Sequence, residues 1–145
     1  ENDGWVWVRE TSGDIVQVFT SPCPCGRTGF RYKIVGRSDD MLKIKGVMVY
    51  PSHIKGVINE FVPRVTGEFR IILDEPPPRV VPPLKLRVEY AESLEPSELE
   101  MLEREIMEGM SKRLKINPKI LWAEPRSLER SHYKGRIFEK LYESI

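Results

Sequence analysis

Two short stretches of this sequence carry residues that could do chemistry. Cys23-Pro24-Cys25 sets two thiols one residue apart, and Gly36-Arg37-Ser38-Asp39-Asp40 puts a guanidinium beside two carboxylates. Two thiolates are half of a tetrahedral zinc site. The chain has no other Cys, and His53 and His132 are its only imidazoles. The expected state of Cys23 and Cys25 is therefore reduced and free of metal; they form at most a partial zinc site, with the other ligands drawn from elsewhere. In the second stretch Gly admits positive φ and Asp can hydrogen-bond its own backbone, which makes a charged turn. Flanked by Ile34-Val35 and Val47-Met48-Val49, it reads as the tip of a β-hairpin.

The surrounding elements follow from periodicity. Trp5–Val8 and Ile15–Phe19 read as strands around a polar turn. After Tyr50, Pro51-Ser52 opens a helix whose Ile54, Val57, Ile58 and Phe61 recur at helical spacing, and Pro63 stops it. Phe69–Leu73 reads as a strand. Asp74–Pro83, with five prolines, is expected to be an irregular, semi-rigid connection. Leu84–Tyr90 alternates, so Leu84, Leu86, Val88 and Tyr90 should face a core and the intervening charges water. Pro96 opens the longest helix, with Leu99, Leu102, Ile106, Met110 and Leu114 as its stripe, and Asn117-Pro118 ends it. Lys119–Ala123 is a last strand. From Val47 the order is β-α-β-β-α-β. The expected fold is therefore α+β and ferredoxin-like, a small antiparallel sheet with two helices on one face, preceded by a β-hairpin.

Composition narrows the function classes. With 145 residues, 40% of them hydrophobic, one domain or a domain plus a fragment is expected. Lys and Arg number 23 against 22 Asp and Glu. This balance gives no general attraction to nucleic acid or anionic membrane. No apolar run nears the roughly 20 residues that span a bilayer, and no signal peptide opens the chain. The expected location is cytoplasmic.

The string G-R-S-D-D-M-L-K-I-K-G-V-M-V-Y-P-S, from Gly36 to Ser52, resembles the hinge motif of the adenylate-forming ligases. In the phenylacetate–coenzyme A ligase branch this motif reads roughly GRxDDMLxxxGVNVxP. Gly36, Arg37, Asp39, Asp40, Met41, Leu42, Gly46, Val47, Val49 and Pro51 match in register, while Met48 replaces the usual Asn. Cys23-Pro24-Cys25-Gly26-Arg27-Thr28 is similar to a segment that precedes the hinge in the same branch. Thr11-Ser12-Gly13-Asp14 weakly resembles the Y-R-T-G-D motif that ends the large domain. Near the C-terminus, Arg130-Ser131-His132-Tyr133-Lys134 resembles the branch's R-S-E-G-K, with His132-Tyr133 in place of E-G.

The resemblance implies a division at residue 36. Residues 1–35 would end a preceding N-terminal domain and its linker, and 36–145 would be a C-terminal ligase domain. The full enzyme would join an aryl or acyl carboxylic acid to coenzyme A, with ATP and Mg2+, through an acyl-adenylate; the isolated chain is expected to catalyse nothing. Lys134 would be the adenylation lysine, its ammonium countering charge on the phosphoryl oxygens with no proton transfer. Asp39 would be the hinge for a rigid-body rotation between half-reactions. Arg37 would lie near the phosphates and Asp14 would hold the ribose hydroxyls. Gly46 would flank the pantetheine path, where a side chain would obstruct. The expected partner is an N-terminal adenylation domain, with a homodimer left open. Without the resemblance, Lys134 reads as a surface lysine on a short terminal helix. Two alternatives stand beside the ligase: an enzyme adenylylating a deazaflavin coenzyme, and a free-standing ferredoxin-like module that senses a ligand or mediates assembly.

Overall fold

The computed structural model describes residues 12–130 and 137–143. The strand expected over Trp5–Val8 lies outside the described residues, as do His132, Tyr133 and Lys134. Nine strands and two α-helices are described: β1 (Asp14–Phe19), β2 (Arg31–Arg37), β3 (Leu42–Ile44), β4 (Val47–Val49), α1 (Pro51–Ile58), β5 (Val65–Leu73), β6 (Arg79–Val80), β7 (Lys85–Tyr90), α2 (Leu99–Leu114), β8 (Lys119–Ala123) and β9 (Phe138–Lys140). The α+β class, with mixed sheets and two helices, is the one expected.

The helices form where the sequence places their apolar stripes. Pro51 occupies the first turn of α1, where its missing N–H costs nothing. A 3-10 turn over Pro96–Glu98 leads into α2, and there the Glu98 carboxylate accepts the Glu95 N–H at 3.0 Å, one half of a capping box. Leu102, Ile106 and Met110 of α2 are fully buried, with Leu99 and Leu114 partly buried at the ends of the stripe. They pack with Ile54, Val57 and Ile58 of α1 against Phe69, Ile71 and Leu73 of β5, Leu86 and Val88 of β7, and Ile120 of β8. Each such side chain contributes about 1.5–3 kcal/mol through burial.

Strand pairing departs from expectation in five places. The main sheet has the order β8-β7-β5-β9, antiparallel between β5 and β7 but parallel at both flanks, so it is mixed. Val47–Val49 does not enter it; β4 pairs with β3 around Lys45-Gly46. The charged stretch 36–40 is thus not that hairpin's tip. It links the separate two-stranded ribbon β1-β2 to β3. The proline-rich segment contributes β6, parallel to β3, because Arg79-Val80 between the proline clusters keep free N–H groups. Residues 138–140 of the tail form a strand rather than a helix, bonded alongside Ile71–Leu73.

Candidate functional site

The charged turn is built by its neighbours. The Ser38 N–H donates to the Gly13 carbonyl at 2.8 Å, and the Asp40 N–H to the Arg37 carbonyl at 3.3 Å. Strand register sets Asp14 opposite Arg37. Arg37 then forks onto Asp39, with Nε 2.9 Å from Oδ1 and Nη2 3.1 Å from Oδ2, and lies 3.9 Å from Asp14 Oδ1. Three residues that sequence reasoning nominated separately are therefore brought into one exposed cluster. The hydrogen bond from Arg37 is the main reason the Asp39 carboxyl is held below its ordinary pKa. Asp39, reciprocally, raises that of Arg37, with smaller contributions from Asp14 and Asp40.

The seat of this turn was not foreseen. A Cβ on Gly36 would come within 2.8 Å of the Tyr50 ring, which is buried. Ser52 Oγ donates to the Val35 carbonyl at 2.7 Å. The start of α1 thus grips the end of β2 from both sides. Gly36, Tyr50 and Ser52 all lie in the string from Gly36 to Ser52, but nothing in their spacing marks this contact.

Gly46 lies apart from this cluster in the fold, at the β3-β4 tip. Its φ of +87° follows Lys45 at +47°, a pair of left-handed residues that suits a tight hairpin. A Cβ there would meet nothing within 4 Å, so within this chain conformation rather than crowding calls for glycine. A groove of about 540 Å³ runs past it, lined by Lys43, Lys45 and Arg79 among others. Met48 is exposed on β4.

Cys23 and Cys25 converge, their Sγ atoms 2.8 Å apart in a hydrogen bond. That bond is the first cause of a lowered Cys25 pKa, followed by a backbone bond at Arg27. Among the described residues no group of three or more His, Cys, Asp or Glu could hold a metal ion.

Lys134 itself is not described, but the segments on either side of it are. Glu89 was expected to face water and is instead fully buried. The alternation along β7 is as predicted; the tail meets the second face of the sheet at Glu89 and Arg70. There the Leu128 N–H donates to Glu89 Oε2 at 2.8 Å, and an Arg70 guanidinium nitrogen donates to the Glu129 carbonyl. Beyond the gap the Ile71 N–H donates to the Ile137 carbonyl at 2.8 Å. Lys140 pairs with Glu143 at 2.7 Å.

Among the described residues no helix is long and apolar enough to cross a membrane. The chain is 39% identical over 67 residues to a phenylacetate-coenzyme A ligase of Thermus thermophilus, a match covering 46% of this chain and 15% of that protein. It overlays a 2-hydroxyisobutyryl-CoA ligase in the postadenylation state with a TM-score of 0.80 at 32% identity, covering 92% of this chain and 28% of that one. Against the same ligase in the thioesterification state the TM-score is 0.61, again at 32% identity, over 89% of this chain. Identity and coverage barely change between the two overlays. A domain of a phenylacetate-coenzyme A ligase from Bacteroides vulgatus shares the fold, with a TM-score of 0.57 at 20% identity over 71% of this chain and 93% of that one. The profile described as AMP-binding enzyme C-terminal domain matches residues 46–140, well over half of the chain, and this chain belongs to that family.

Proposed function

We propose that this chain is the C-terminal domain of an ATP-dependent acid–coenzyme A ligase of the phenylacetate–coenzyme A ligase kind, with the domain boundary at Gly36. Its partner would be an N-terminal adenylation domain that binds the aryl or acyl carboxylic acid and the bulk of ATP and Mg2+. The observation that carries the reading is the Asp14–Arg37–Asp39 cluster at the junction of the β1-β2 ribbon with the rest of the chain. A pivot belongs at such a junction, where few backbone bonds cross and a change of φ and ψ at Asp39 swings everything after it. The coenzyme A ligases among the similar proteins support the second half-reaction.

In this reading Lys134 enters the site for adenylation. Its ammonium faces the charge that builds as the acid's carboxylate attacks the α-phosphorus and pyrophosphate leaves. Arg37 lies toward the phosphates and Asp14 accepts from the ribose hydroxyls. Rotation about Asp39 then withdraws Lys134 and brings Gly46 beside the pantetheine path, with Lys43, Lys45 and Arg79 around it.

The test is Lys134→Ala in the complete enzyme. Adenylate formation should fall about a hundredfold or more, the scale of losing one preorganised donor to a transition state. Thioester formation from preformed acyl-adenylate should persist. Lys140, whose partner is Glu143, should tolerate Ala. The opposite pattern would move the assignment to Lys140.

A further inference from the structure

The tail that carries Lys134 is tied down on both sides of it, by β7 and β5 before it and by β5 after it. Before it, Glu89 on β7 accepts from the Leu128 N–H at 2.8 Å, and Arg70 on β5 donates to the Glu129 carbonyl. After it, the Ile71 N–H on β5 holds the Ile137 carbonyl, and β9 continues alongside β5. Glu89 is fully buried and Arg70 has 12% of its side chain exposed. A buried carboxyl is costly unless its oxygens find partners. Glu89 Oε1 has none among the described residues. What it does provide is one directed bond to a backbone N–H of the tail.

We propose that Glu89 and Arg70 are positioning residues for Lys134, holding the chain before it through Leu128 and Glu129 while β9 holds the chain after it. The proposal rests on the reading of Lys134 as the adenylation lysine. A lysine that acts in only one half-reaction must be in the same place at every turnover, and a misplacement of about 1 Å can cost roughly a hundredfold in rate. Anchors on either side of residues 131–136 meet that demand. The two anchors sit on adjacent, paired strands, Arg70 opposite Arg87 and Phe69 opposite Val88, so they move as one body.

The experiment compares Glu89→Leu, Glu89→Gln, Lys134→Ala and the double variant Glu89→Leu/Lys134→Ala in the complete enzyme. Amide hydrogen exchange at Leu128 should be about tenfold faster in Glu89→Leu, with β5, β7 and α2 unchanged. Adenylation should fall by roughly tenfold to a hundredfold while thioester formation from preformed acyl-adenylate is spared. Glu89→Gln keeps an acceptor oxygen for Leu128 and should restore adenylation. On the Lys134→Ala background, Glu89→Leu should cost nothing more, since positioning acts only through the lysine. Unchanged exchange at Leu128 in a folded Glu89→Leu enzyme overturns the anchor. Equal loss in both half-reactions, or a full additional loss in the double variant, overturns the positioning role. If Lys134→Ala leaves adenylation intact, the reading of Lys134 falls and the positioning role with it, and Leu128 exchange still decides whether the anchor exists. Should Glu89→Leu not fold, Arg70→Leu carries the same tests through the Glu129 carbonyl.

Discussion

Arg37 and Asp39 meet as two forks, Nε on Oδ1 at 2.9 Å and Nη2 on Oδ2 at 3.1 Å, across the single residue Ser38. The side chain of the proposed pivot is therefore held by a residue two positions before it, on the ribbon side of the turn. Because the Asp39 pKa is lowered, the pairing is complete above the ordinary carboxylate value and is lost only as pH falls through the lower folded one. Between pH 5 and 8 it should not titrate. In Arg37→Gln the Asp39 midpoint should rise toward its ordinary value, read by carboxyl NMR. An unmoved midpoint would mean that Arg37 is not the cause.

Rotation at the turn should depend on the backbone freedom of Asp39. Proline fixes φ near −65°, so Asp39→Pro in the complete enzyme should slow one half-reaction far more than the other. Separate assays of adenylation and of thioester formation check this. Equal losses in a folded enzyme would place the pivot elsewhere.

Gly36 should be intolerant for a packing reason. Its φ is not in the left-handed region, but an added methyl would stand 2.8 Å from the Tyr50 ring. Gly36→Ala should cost about 1–3 kcal/mol by overpacking, measured by urea denaturation. Tyr50→Leu should recover part of that loss when the two are combined, since they share one contact.

The thiol pair makes a chemical prediction independent of catalysis. Cys25 is exposed and its pKa is lowered, first by Cys23. At pH 7–8 it should be alkylated several-fold faster than an ordinary exposed thiol, because the thiolate is the nucleophile. Cys23→Ala should slow it. Equal rates in both proteins would count against the hydrogen bond between them.

Local order was legible in the sequence, and pairing over distance was not. The stripe Leu102, Ile106, Met110 and the strand Lys119–Ala123 were readable because their periods are set by backbone geometry alone. Val47–Val49 was readable as a strand, but its three residues carry no information about which edge they join. Glu89 shows the same limit from the other side. Alternation along β7 gave its face, and only a tail residue some forty positions later decides that Glu89 is met there. At the candidate site, Arg37, Asp39 and Asp14 were legible through motif spacing, whereas Tyr50 and Ser52 gain their role from the angle at which α1 meets β2. That angle is a tertiary property and leaves no mark in spacing.

The short strand β9 also governs how this protein behaves in company. It covers Ile71–Leu73 at the outer edge of β5, whose Phe69, Ile71, Ile72 and Leu73 are all buried. Cut the chain before Ile137 and that stretch becomes an unpaired, apolar edge, a template on which another chain can add a strand. Such a shortened protein should precipitate or form β-rich aggregates on concentration. The charged run Glu139-Lys140, ion-paired to Arg87 and Glu143, would no longer guard that border.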